Sequence, residues 1–351
     1  VNVLLVAVAL AFAWSIGAHY TGACMGMPHA LGAIDARRAL MVMAPLALLG
    51  AALASHGVER TVALRLTDRR LHVAAEVVVV AVAFALTSIY NRLRIPTSTI
   101  QILVFSLLGT ALATGAGVRW ARVGVLAILW AAAPLCAFLL GLALTRLIDR
   151  LIDRLGGRLR GGRGGALAQA GQLTVRPLRA GAQAVDRSRR GHVLEPLGGM
   201  LVLVGAVASF AMGGNDVANA TGPLVGARVL SPLLAGTLGG IALAVGVLSY
   251  GRPLLTRVAF EIVQVDRAMA TVAQGVQGAV VLAAVAFGLF TSMNQALVGA
   301  MAGAGLARGR RTVELSTLTS ILRGWLLGPA AGIGMAFVIA HLAIAAGASL
   351  S

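Results

Sequence analysis

Windows of about twenty apolar residues recur along the whole chain, each long enough to cross a hydrocarbon core of ~30 Å. No other feature limits the fold so sharply. Hydrophobic residues make up 58% of the 351 positions, and mean hydropathy is +0.89. A soluble protein of this length has too little interior to hide so much apolar surface. A β-barrel is excluded as well, because its strands would alternate polar and apolar residues over ~10 positions. The expected fold class is therefore an all-α polytopic membrane protein.

The connections between the apolar runs fix the next level. The formal net charge is +17, and all 29 basic residues are Arg. These residues lie mainly between the apolar runs, which fits anchoring and orientation in a membrane; nucleic acid is not expected as a partner. Cys24 and Cys136 make no disulfide framework. The first apolar run lacks a basic leader and reads as a membrane helix. Residues 149–195 are rich in Gly and Arg and too polar to cross. They divide the chain into a first membrane repeat (1–148), a linker expected on the cytoplasmic side and in contact with lipid headgroups, and a second repeat (196–351).

The two halves overlay. Thr97, Ser98 and Gln101 fall on Thr291, Ser292 and Gln295 at one constant offset of 194 residues, and Gly109 falls on Gly303. At an offset of 196, Gly17 falls on Gly213 and Gly26 on Gly222. Constant offsets over separate motifs indicate an internal duplication. Each half holds about five apolar segments, an odd number. If all cross, the halves enter the membrane with opposite orientation, with broken or re-entrant helices at the midplane. A cytoplasmic linker then places both termini outside a multi-pass cell (inner) membrane protein.

Two kinds of polar feature interrupt the apolar pattern. GGNDVANATGPLVGA (213–227) carries Asn215, Asp216, Asn219 and Thr221. A charge at the centre of a membrane helix costs at least ~2.5–3.5 kcal/mol, so the cluster reads as a site on a broken segment lining a cavity. A single Asn would read as interhelical hydrogen bonding. The other feature is Thr-Ser-x-x-Gln opening an apolar helix, at 97–101 and 291–295. A helix N-terminus carries free N–H groups and about half a positive charge, and so attracts anions without Lys or Arg. Ser98 and Ser292 add hydroxyls, while Gln101, Asn294 and Gln295 add amides. One such copy alone would be an ordinary cap.

GGNDVANATGPLVGA resembles the signature of the inorganic phosphate transporter (PiT) family, Gly-Ala-Asn-Asp-x-Ala-Asn-Ala. A second family signature, Pro-x-Ser-Thr-Thr-His, is matched in part by Pro96, Ser98 and Thr99, and in the second half by Ser292. The resemblance implies a secondary-active permease of inverted repeats, taking up phosphate with Na⁺ or H⁺, or sulfate in one branch. It implies that Asn215, Asp216 and Asn219 line the anion and cation site, and that Ser98, Thr99 and Ser292 contact the oxyanion.

The first repeat departs from that pattern. His19, Tyr20 and Ala23 stand where the Asn-Asp pair and the second Asn belong, and IGAHYTGACMGMPHALGAI is similar to the sulfate permease branch. Phosphate at neutral pH keeps a proton to donate to a carboxylate, whereas sulfate has none. Losing one Asp therefore tilts the expectation toward sulfate ahead of phosphate, and removes a hard oxygen ligand for Na⁺. Tyr20 and Thr21 join the expected anion site, since Tyr20 donates where a carboxylate does not. Asp216, Glu76 and His19 are the expected coupling groups. Glu76 also reads as an interfacial residue, and His19 as a neutral hydrogen-bonding one.

No cofactor is expected. The driving ion is H⁺ or Na⁺, and the one metal that such a site would hold is Na⁺ near Asp216. The composition is compatible with a homo-oligomer. An intramembrane enzyme acting on lipid phosphate would need a His/Asp/Glu cluster that the sequence does not offer. A passive anion channel would share the helix ends but has no use for paired repeats.

Overall fold

The computed structural model describes residues 1–64, 66–95, 97–160, 196–255, 265–309 and 315–350. Pro96, residues 161–195 of the linker, and the polar residues Arg257, Glu261, Arg310 and Arg311 lie outside them.

The described chain is helical. The first half runs α1 (Asn2–His19), a π-helical turn (Gly22–Gly26), α2 (Met27–Ala30), α3 (Ala36–Ala54), α4 (His56–Leu64), α5 (Val73–Leu93), α6 (Thr99–Thr114) and α7 (Trp120–Arg160). The second half runs α8 (Pro196–Gly226), α9 (Pro232–Tyr250), α10 (Arg252–Leu255), α11 (Arg267–Ala286), α12 (Met293–Ala307) and α13 (Leu315–Ala345). Among the described residues, eight helices are long and apolar enough to cross a membrane, with α1 to α2 counted as one. α7 continues to Arg160, so the segment expected to be linker from 149 begins as helix.

Side chains set the starts of these helices. Asp35 caps α3 by accepting from the Arg38 N–H, and Ser231, its counterpart at the 196 offset, caps α9 from the Leu234 N–H. Ser98 and Ser292 do the same for α6 and α12, accepting from Gln101 and Gln295. Each cap satisfies one of the N–H groups that a helix start leaves without a partner.

α6 and α12, of 16 and 15 residues, rise only ~24 and ~22 Å and fall short of the hydrocarbon core. They begin inside the protein, since Thr97, Ser98, Thr291 and Ser292 are all fully buried. The helix breaks therefore lie before α6 and before α12. The break expected within 213–227 is absent, because α8 runs unbroken to Gly226. Its Asn and Asp side chains find partners on neighbouring helices and on α8 itself, so the backbone need not open to accommodate them. The corresponding segment of the first half does deviate, into the π-helical turn that precedes Pro28. Pro28 has no N–H to return to that turn. The Ala23 carbonyl there accepts instead from Gln274 Nε2 at 2.7 Å.

The halves pack reciprocally. α1 lies on α9 as α8 lies on α3, and α6 lies on α13 as α12 lies on α7. Glycine sets these approaches. A Cβ at Gly17 would meet the Leu243 carbonyl oxygen at 2.0 Å, and one at Gly213 would meet that of Ala47 at 1.9 Å. Both members of each contact are related by the 196 offset. Without a hydrophobic force between helices in lipid, such close backbone approach supplies the dispersion contacts that hold them.

Candidate functional site

Helix α8 brings its polar residues against both interior helix starts. Asn215 treats Thr291 as a strand neighbour would. Its Nδ2 donates to the Thr291 carbonyl at 2.7 Å, and its Oδ1 accepts from the Thr291 N–H at 3.1 Å. This one amide serves both backbone groups in the bend before α12. Four residues on, Asn219 Nδ2 donates to Thr99 Oγ1 at 2.9 Å and reaches Asp216 Oδ1 at 3.4 Å. Tyr20 Oη lies 3.0 Å from the same Thr99 hydroxyl and beside the Asp216 carboxyl.

His19 occupies the place of Asn215 in the first half and, like it, faces the backbone of the bend before the short helix. Asn91 Nδ2 is occupied by the Ser15 carbonyl and hydroxyl, at 2.9 and 3.0 Å, so Asn91 Oδ1 is left to accept from His19 Nδ1–H at 2.5 Å. That places a proton on Nδ1, while Nε2 lies 3.2 Å from the Thr97 carbonyl oxygen, 3.4 Å from the Thr97 backbone nitrogen and 3.2 Å from Asn294 Nδ2. Asn294 Nδ2 also donates to the Thr97 carbonyl at 2.7 Å. Between the two helix starts Gln101 and Gln295 form a reciprocal amide pair, at 3.4 and 3.1 Å. The N-termini of α6 and α12 thus meet, with α8 and the end of α1 beside them.

Eleven of the thirteen expected site residues gather here: His19, Tyr20, Ser98, Thr99, Gln101, Asn215, Asp216, Asn219, Ser292, Asn294 and Gln295. All are at least nine-tenths buried. Thr21 turns away, donating toward the Ala18 and Gly251 carbonyls. Thr221 also faces elsewhere, toward Glu59 Oε1 at 2.7 Å. Glu76 is buried in the first turn of α5, ~22 Å along that helix from Asn91.

The cluster mixes two kinds of capacity. The helix starts and hydroxyls supply donors. Asp216 Oδ2, Asn219 Oδ1 and Asn294 Oδ1 are buried acceptors without a partner among the described residues. An acceptor sealed from water without a donor costs ~1–3 kcal/mol, more for a charged one, so these oxygens suit a proton or a cation. The described residues contain no group of three or more His, Cys, Asp and Glu at metal spacing.

Sequence reading missed Asn91, Gln274, Gln277 and Glu59. Gln274 and Gln277 are one turn apart within an apolar run, and that spacing was the available signal. Gln274 Nε2 holds the Ala23 carbonyl and Gln277 Oε1, while Gln277 Nε2 reaches the Met293 carbonyl at 3.4 Å. Glu59 stands beside Arg60 in a polar stretch of the sequence, but it lies on α4 and is fully buried.

Comparison with known proteins adds an independent line. Sulfate permease CysP of Bacillus subtilis is 24% identical over 95% of this chain and 85% of its own length. A Pyrococcus furiosus protein provisionally named a phosphate permease is 24% identical over 94% of both chains. Inorganic phosphate transporter 2-1 of Arabidopsis thaliana is 32% identical over 40% of this chain, a match spanning only 26% of that protein. A solved structure described as the sodium-dependent phosphate transporter shares the fold, with a TM-score of 0.80 at 21% identity, covering 98% of this chain and 99% of that one. The profile of the Phosphate transporter family matches residues 16–336, nearly the whole span from α1 to α13, and the chain belongs to that family.

Proposed function

We propose that this protein is a cation-coupled symporter for a tetrahedral inorganic oxyanion, sulfate ahead of phosphate, in the cell (inner) membrane. The observation that carries the reading is the meeting of two helix N-termini beside a buried carboxyl with one unpartnered oxygen. The N-termini attract the anion through backbone N–H groups. The carboxyl explains the need for a cation. At ~4 Å and an effective dielectric near 20, each pair of like unit charges costs about 4 kcal/mol, so a dianion beside ionised Asp216 faces about 8 kcal/mol of repulsion. A proton or Na⁺ on Asp216 removes that cost, and anion and cation then enter together. A channel would gain nothing from this interdependence. Asp216 is the coupling group in this reading. His19, with both ring nitrogens engaged, serves as a fixed hydrogen-bonding residue, and Glu76 stands apart from the site.

Sulfate is placed first because Tyr20 supplies a hydroxyl donor where the second half has Asp216. A protonated Asp216 would also donate to sulfate, which has no proton of its own. Phosphate is the second reading, favoured by Asp216 Oδ2, which would accept the proton that HPO₄²⁻ retains. The names of the similar proteins include both anions. We further propose that the two halves are inverted repeats, with the linker cytoplasmic and both termini outside. Competition between labelled sulfate and phosphate in proteoliposomes tests the substrate. Sulfate should displace phosphate at lower concentration; uptake of phosphate that sulfate leaves untouched would reverse the order.

A further inference from the structure

Glu59 is fully buried on α4 and belongs to none of the contacts that build the anion site. Its Oε1 faces two hydroxyls, Thr221 Oγ1 at 2.7 Å and Ser55 Oγ at 3.2 Å, and its Oε2 has no partner among the described residues. Burying an ionised carboxylate is costly unless a cation or several donors serve it. Among the described residues, no cationic group faces it from the helices packed on α4. α8 presents Thr221, and its sole titratable residue is Asp216. α9 presents Gly236, where a Cβ would meet Ser55 Oγ at 2.7 Å and Glu59 Oε1 at 3.3 Å, and its sole titratable residue is Tyr250 at the far end. α3 carries Arg37 and Arg38, and α11 carries Arg267, all at the opposite ends of their helices. On α4 itself Arg60 is exposed, and His56 has a buried, unpartnered Nε2.

A hydroxyl has one proton to give. Ser55 Oγ has the Ala51 carbonyl at 2.6 Å, and Thr221 Oγ1 has the Val217 carbonyl at 3.0 Å. Each hydroxyl therefore has two acceptors for its one proton, a backbone carbonyl and Glu59 Oε1, and for Thr221 the shorter contact is the one to Glu59. When the carboxyl carries a proton, both hydroxyl protons can go to the backbone carbonyls and Oε1 donates to Thr221. If Glu59 is ionised, Thr221 must swing its proton away from Val217, the residue next to Asp216. α4 also reaches the other end of the site, because Thr61 Oγ1 donates to the Gly288 carbonyl at 2.6 Å in the bend that leads to α12.

We propose that Glu59, clasped by Ser55 and Thr221, is a second proton-binding site, separate from the anion site, that couples anion transport to the pH gradient. The proton comes from water on the acidic side, rests on Oε1 while Thr221 bonds the backbone of α8, and leaves to water on the other side. Its binding and release are sensed through Val217 and Gly288. The inference rests on the reading that the chain carries an oxyanion.

The test is Glu59→Gln in proteoliposomes, measured two ways with labelled sulfate and phosphate. Counterflow exchange without a gradient should match the wild type, since the anion site is untouched. Accumulation driven by an acidic exterior should fall at least tenfold. Acid-driven accumulation at the wild-type level overturns the proton site. Absence of counterflow in the wild type instead overturns the permease reading. If Glu59→Gln does not fold, Glu59→Asp keeps the acid but shortens its reach to Thr221. The pH optimum of accumulation must then shift, and an unshifted optimum overturns the proposal.

Discussion

Asp216 and Asn215 lie side by side on α8 and answer to different measurements. Asn215 satisfies the N–H and C=O of Thr291 at once. Asn215→Leu leaves both buried groups without partners, at ~1–3 kcal/mol each, and is expected to lower the melting temperature in detergent along with transport. Asp216 has one oxygen without a partner among the described residues. Asp216→Asn is nearly isosteric and should keep the melting temperature, while cation-driven accumulation falls at least tenfold. A mutant that loses stability in place of coupling would make Asp216 a structural residue. These residues were legible in the sequence because polar groups within an apolar run demand an explanation. Asn91 and Glu59 were not, because each lies beside the Arg residues that end a span and so reads as interfacial. Only the fold shows Asn91 supporting His19 and Glu59 facing Thr221. Thr221 was expected beside Asp216 in the site, but α8 is unbroken, a helix turns 100° per residue, and the five residues from Asp216 carry Thr221 to another face.

Helices α6 and α12 and the glycine crossings belong to the scale of elements. Both short helices were legible from their Thr-Ser-x-x-Gln openings. The unbroken course of α8 was not, because a run of Gly, Asn and Asp reads as a break when the partners that satisfy it lie on other helices. The close crossing of α8 on α3 depends on Gly213, whose Cβ would meet the Ala47 carbonyl oxygen. Gly213→Ala must push the helices apart and is expected to cost ~1–3 kcal/mol, read as a lower melting temperature. Gly334 on α13 has open space where its Cβ would go, so Gly334→Ala should stay within ~0.5 kcal/mol of the wild type. Equal effects at the two positions would contradict the packing account.

At the scale of the whole molecule the proposed duplication relates the parts to one another. The 194 and 196 offsets were legible in the sequence, and they recur as the Gln101–Gln295 pair, the Asp35 and Ser231 caps and the reciprocal glycine contacts. Inversion carries its own test. Asp35 and Ser231 are exposed and related by the repeat. In a Cys136→Ala background, Asp35→Cys and Ser231→Cys should react with an impermeant thiol reagent from opposite sides of the membrane. Labelling from the same side would refute inversion.

In the proposed function one buried site makes oxyanion entry depend on a cation. Proteoliposomes loaded at neutral pH, with labelled sulfate or phosphate outside, test it most directly when a Na⁺ or pH gradient is imposed. The wild type should accumulate anion above its external concentration with at least one of these gradients, and the accumulation should disappear when that gradient is collapsed. Entry that stops at equilibrium whatever gradient is imposed would contradict the account.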